Sequence, residues 1–172
     1  MTYRQVPEAS IYELDPGRSS ISFVTRHLFG SAKVTGSFDL NHGRIEVGLP
    51  ATTSKVHAEA DATSFRTKIK LRDKIVRSAM LLDAEKHPSL TFQSTEVRLE
   101  DGQWVLKGDL TVRGKTAPVE FAVTEAKTTR DGLSLHAEGV VDRYAHGITA
   151  GKGFAARRLK LDLAVHAVKV VS

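Results

Sequence analysis

Residues 103–123, QWVLKGDLTVRGKTAPVEFAV, decide the fold. Trp104, Leu106, Gly108, Leu110 and Val112 occupy alternate positions in the first half, and Val119, Phe121 and Val123 do so in the second. A period of two sends successive side chains to opposite faces of a strand, so each half reads as a strand with one apolar face. Arg113-Gly114-Lys115 between them supplies the turn.

The same pattern continues in both directions. Downstream, beyond the turn Arg130-Asp131-Gly132, Leu133, Leu135, Ala137 and Gly139 alternate, and later Leu159, Leu161, Leu163, Val165 and Ala167. Upstream of Glu100-Asp101-Gly102 lies a strand with Leu90 and Phe92, whose apolar phase shifts between Phe92 and Val97; that marks a bulge or a strand end. Ile21, Phe23 and Thr25 form a first stripe and Val34, Gly36, Phe38 and Leu40 a second. Asn41-His42-Gly43 reads as a hairpin turn into Ile45, Val47 and Leu49, and Val56, Ala58 and Ala60 follow. Nine short strands at intervals near ten residues predict a sandwich or a barrel, and closure into a barrel removes exposed sheet edges.

Two stretches break the period. Between Asp61 and Glu85, Phe65, Ile69, Ile75, Val76, Ala79, Met80 and Leu82 recur near helical spacing, with Asp61, Thr63 or Ser64 as N-cap candidates and His87-Pro88 as the stop. Residues 144–156, rich in Gly and Ala, read as a short helix or a loop.

The chain has 172 residues, 41% hydrophobic and 26% charged, with no cysteine and a net charge of +5. This predicts one domain, residues 1–172, with its core over about 12–168. Disulfides, thiolate metal sites and thiol nucleophiles are excluded. Residues 1–10 lack the apolar run of a secretory signal, and no stretch approaches the roughly 20 apolar residues of a membrane-spanning helix. The expected location is cytoplasmic.

Several short motifs, taken in order, carry a resemblance. They are Leu14-Asp15-Pro16 with Ser19; Ile21, Phe23 and His27; Gly36 with Phe38; Thr63-Ser64-Phe65 with Thr67; Arg72-Asp73; Leu82-Asp83; His87-Pro88; and Thr91-Phe92-Gln93-Ser94. Gly108 to Gly114 with Pro118-Val119, and Arg143 with Gly147-Ile148, complete the set. Together they resemble the YceI-like polyisoprenoid-binding proteins. The resemblance implies an all-β fold, an eight-stranded antiparallel lipocalin-like β-barrel with a helical insertion around residues 61–85, whose interior takes isoprenoid, quinone or fatty-acyl chains. It implies no catalytic residue and no cofactor, and it suggests a homodimer. Met80-Leu81-Leu82, Tyr144 and His146 depart from the pattern, and these departures bear on the shape of the pocket.

An eight-stranded barrel either fills with side chains or holds one small ligand. The candidate lining is Phe23, Phe38, Val56, Phe65, Ile69, Met80, Phe92, Trp104, Leu106, Phe121 and Ile148, with Gly36, Gly108, Gly139, Ala58 and Ala137 leaving space on the same stripes. The alternative for each large residue is plain core packing. Candidate head-group contacts are His27, Arg66, Arg72, Arg143 and His146. The basic run from Arg66 to Arg77 fits a diphosphate or carboxylate, or a solvated helix face, and Arg72-Asp73 also reads as a structural pair inside the barrel.

None of the seven histidines stands at a recognisable metal-ligand spacing, so no metal is assigned, and Gly147 to Gly153 fails the phosphate-loop pattern. The leading expectation is a non-catalytic carrier or store for a lipid-like amphiphile. The alternative is a filled barrel whose basic surface binds nucleic acid or an anionic membrane; nucleic acid is not expected, because the exposed aromatics of base stacking are missing. An enzyme using His27 or His146 as base beside Asp142 or Arg143 is the weakest reading.

Overall fold

The computed structural model describes residues 6–27, 32–151 and 155–170, with His27 and Ala32 described by their main chain alone. The strands are β1 (Ser10–Leu14), β2 (Ser20–His27), β3 (Ala32–Val47), β4 (Lys55–Arg66), β5 (Ser89–Glu100), β6 (Gln103–Val112), β7 (Lys115–Thr128), β8 (Gly132–Asp142) and β9 (Arg158–Lys169), with one helix, α1 (Lys70–Arg77), between β4 and β5. All pair antiparallel. The order β3-β2-β9-β8-β7-β6-β5-β4 closes through a β3–β4 ladder, and β1 fills the rest of the gap between β3 and β9.

β1 and β2 act as one stave in two pieces. β1 pairs with residues 44–47 of β3 and 167–169 of β9, while β2 pairs with residues 32–38 and 160–164 of the same two strands. The break is a 3-10 turn, Pro16–Arg18, capped by Asp15, which accepts from Gly17 N. Arg18 binds both Asp15 and Asp131 at 2.8 Å, tying the break to the β7–β8 turn.

Of the sandwich and the barrel that the period of two allows, the barrel that the resemblance implies is present, with differences in detail. Asn41-His42-Gly43 does not reverse the chain: β3 runs straight through it, and the polar insertion appears as a register shift against β4 between Leu40 and His42. β1 makes up the ninth strand in its place. The phase shift after Phe92 is a bulge between Ser94 and Glu96 inside a continuous β5. The helical insertion is narrower than 61–85. Residues 61–66 belong to β4, and α1 starts after Ile69 with no side-chain cap, so Asp61, Thr63 and Ser64 are not its caps. Asp73 in its first turn instead reaches back to accept from Thr67 N (3.0 and 2.9 Å) and Thr67 Oγ1 (2.5 Å). Residues 143–146 form a 3-10 turn closed by Gly147 at φ +73°.

Three glycines of the apolar stripes do not open space for a guest. A Cβ on Gly36 would strike the ring of Phe23, its cross-strand partner, and one on Gly108 the ring of Phe92; on Gly139 it would lie 2.6 Å from Phe121 Cδ1 and 2.7 Å from Glu120 O. Each glycine is the floor on which a phenyl ring rests. Gly139→Ala is therefore expected to destabilise the protein by about 2–3 kcal/mol, the upper range for overpacking, because main chain stands on one side of the new methyl. A denaturation midpoint unchanged from the parent would contradict this.

Candidate functional site

The rings sort into two groups. Phe23, Phe38 and Phe65 pack with centroids 5.3–5.9 Å apart near the α1 end, and Phe92 meets Phe121 edge-on at 5.5 Å further along the barrel. Between these groups and the far cluster of Tyr12, Leu14, Leu40, Ile45 and Leu133 the barrel is not filled. A cavity of about 230 Å³ is walled by inward residues of the strands, among them Ile21, Val56, Leu106, Leu135, Leu161 and Leu163. A second of about 150 Å³ lies under α1 and residues 155–156, reaching Phe23, Phe65, Arg72 and Val76. Phe38, Leu82, Arg143, Ile148 and Leu159 border both and partition them.

The wall of the larger cavity is almost wholly apolar, and Glu59, Arg143 and His146 are the residues with polar side chains among those lining it. Glu59 is drawn off by Ser89 and His42, whose hydrogen bonds hold its carboxyl below the usual range. Arg143 is 7% exposed, yet it pairs with no carboxylate among the described residues. Its Nε donates to Ala156 O (2.9 Å), Nη1 to Ile148 O (2.9 Å) and Ala150 O (2.6 Å), and Nη2 to Ala155 O (3.2 Å). The guanidinium thus ties Ile148 and Ala150 to Ala155 and Ala156 beside the two cavities. Beside it Asp142 grips Arg157 at 2.9 and 2.8 Å, which holds the Asp142 carboxyl below its ordinary range, and both guanidinium groups lie against the Tyr144 ring.

His146, 3% exposed, has a different posture. Its Nδ1 lies 2.9 Å from Lys115 O. A carbonyl only accepts, so Nδ1 carries the proton, and in the neutral ring Nε2 is left as an acceptor. Nε2 has no partner among the described residues. His146 is also one of the residues that wall the larger cavity.

The structure brings Phe38, Val56, Phe92, Leu106, Phe121 and Ile148 to the larger cavity and Phe23 and Phe65 to the smaller. Ile69 and Met80 stand outside both, 52% and 59% exposed, because they flank α1, Ile69 just before its first turn and Met80 in the turn beyond its end. Trp104, near the β5–β6 turn, borders neither. Of the head-group candidates, Arg143 and His146 reach both the wall and each other's turn, and Arg72 reaches the smaller cavity. Arg66 is half exposed and bound to Asp39 at 2.9 Å; the side chain of His27 lies outside the described residues. Arg72 and Asp73 do not pair with each other. Both converge on Thr67 Oγ1, since adjacent helical residues point in different directions. Sequence reading did not pick out Leu135, Leu161 and Leu163 as lining, although their alternation already put them on the inner face.

On the outer wall His136, Glu138 and Asp162 place three donor atoms within 4.8 Å of one another, with His136 Nδ1 2.7 Å from Thr124 Oγ1 and Nε2 against Asp162. Histidine spacing along the chain cannot reveal such a cluster, because its third member comes from the neighbouring strand.

The YceI-like domain model matches residues 12–167. The chain belongs to the YceI-like family. It is 32% identical over 158 residues to a UPF0312 protein of Pectobacterium carotovorum, covering 87% of this chain and 80% of that one. Protein YceI of Salmonella arizonae is 32% identical over 126 residues, 69% of this chain and 64% of that one. Among solved structures, BcnA of Burkholderia cenocepacia superposes with a TM-score of 0.78 at 19% identity, over 88% of this chain and 98% of the other. A polyisoprenoid binding domain from Saccharophagus degradans does so with 0.65 at 14%, over 92% and 98%. These likenesses show that the barrel is the YceI fold.

Proposed function

We propose that this YceI-family protein is a non-catalytic carrier or store for a single-chain, lipid-like amphiphile of isoprenoid type, held with its chain in the larger cavity and a hydroxyl end at His146. The carrying observation is the unfilled apolar interior. At roughly 24 cal/mol per Å³ of residual cavity, a void of 230 Å³ costs about 5 kcal/mol when empty, comparable to the whole stability of many domains. An occupant removes that cost. Each buried methylene contributes about 0.8 kcal/mol, so chain length sets affinity, and polar selectivity falls to His146.

The reading agrees with the description of the Saccharophagus degradans protein as a polyisoprenoid binding domain. An Nε2 acceptor favours a ligand that donates, an alcohol or a phenol, over a ketone or a diphosphate. Native mass spectrometry of the purified protein, followed by organic extraction, tests the carrier. A released isoprenoid or acyl amphiphile supports it, and a mass that stays apo with added farnesol overturns it. For the head group, delipidated protein is titrated with farnesol, its methyl ether and its diphosphate. One hydrogen bond predicts a preference of about fivefold for the alcohol over the ether, lost in His146→Phe. Equal binding of alcohol and ether, or tighter binding of the diphosphate, overturns that assignment while leaving the carrier intact.

A further inference from the structure

The segment from Lys68 to Met80 carries a surface that the barrel does not use. Ile69, Leu71, Ile75 and Met80 are all exposed, Leu71 by 70%, whereas the other exposed large apolar residues are spread over the rest of the chain. Isolated apolar residues on a surface are ordinary; four within twelve residues, two on one short helix and one beyond each of its ends, are not. The adjoining side of α1 is committed, since Arg72 and Val76 line the smaller cavity.

Cations surround the apolar residues. Lys68, Lys70 and Lys74 are exposed and have no ion-pair partner among the described residues. Arg77 lies on the same helix, with Nε donating to Asp73 O at 3.2 Å. Asp73, the one acidic residue of α1, is buried, and its carboxylate is spent on Thr67 N and Oγ1. The helix has therefore turned its acid inward and left its outward face apolar at the centre and positive at the rim.

We infer that this face docks on an anionic lipid bilayer. Aliphatic side chains ringed by lysine match an interface of acyl chains beneath negative head groups. Nucleic acid is the poorer match, because the patch holds no aromatic ring on which a base could stack. The docked helix is also the roof of the smaller cavity, so the patch would set that end of the barrel against the membrane. The inference stands apart from the identity of any occupant, as a filled barrel would dock equally well.

Flotation of the intact protein with sized vesicles tests it, comparing phosphatidylcholine alone with an equal mixture of phosphatidylcholine and phosphatidylglycerol. The protein is expected to float with the mixed vesicles and to stay behind with the neutral ones, and raised salt should weaken the association. Leu71→Ser with Ile75→Ser should reduce binding by about tenfold or more, and Lys70→Gln with Lys74→Gln by about tenfold, at roughly fivefold or less per lysine. All four positions are exposed, so both variants should keep the parent's melting temperature, and the parent's lipid dependence needs no variant at all. Equal flotation on both vesicle types, no flotation on either, unchanged binding by both variants, or retention on duplex DNA without flotation would each overturn the inference.

Discussion

Replacing Arg143 with methionine is expected to cost about 3–5 kcal/mol of folding stability, read from chemical denaturation. The side chain is of similar length and apolar, so the loss comes from the four main-chain carbonyls of Ile148, Ala150, Ala155 and Ala156, which lose charge-assisted donors. Hydrogen exchange at Ile148, Ala155 and Ala156 should rise more than in β6 or β7, since those ladders do not depend on the guanidinium. Arg143→Lys should fall between, because one ammonium cannot address four carbonyls spread around a planar fork. A methionine variant as stable as the parent would show that water serves these carbonyls equally well, and the tie would lose its meaning.

Ala58→Phe should separate binding from folding. Ala58 lines the larger cavity, and a phenyl ring there occupies space that the parent leaves empty. Stability should change by no more than about 1 kcal/mol, because filling a void offsets the strain of insertion. The ring displaces room for about four methylenes, roughly 3 kcal/mol of chain burial, so farnesol affinity should fall by about two orders of magnitude in a titration. Undiminished affinity would place the ligand elsewhere.

What could be read from the sequence follows from what local pattern encodes. The β6–β7 hairpin was legible because its alternation and its Arg113-Gly114 turn are both local. The Asn41-His42-Gly43 stretch was misread as a turn because a bulge and a hairpin use the same polar and glycine residues; the pairing of β3 with both β1 and β4 decides between them. The helical spacing of Ile69 and Met80 signals an amphipathic face without saying what covers it; both flank α1, and both stand exposed. Arg143 stands out in the sequence as a candidate head-group contact, but its carbonyl partners arise from main chain that a sequence does not display. His146 was visible as a residue, whereas the direction of its free nitrogen depends on Lys115 O, 31 positions away.

The split stave also bears on how the barrel assembles. Going round the wall, each stave sits beside its neighbour in sequence, and β9 returns to β1 and β2, so strand order in space is a circle that the chain happens to enter at one point. Seven of its eight seams can zip between successive strands with little loop entropy to overcome. The eighth must bring residues 10–24 against residues 160–169 across the whole length of the fold. That seam is the natural last step of folding and the natural first to part, and linking residue 170 to residue 10 through a short added turn while cutting at the Asp101-Gly102 turn would hand that part to β5 and β6 with the ladder pairings kept.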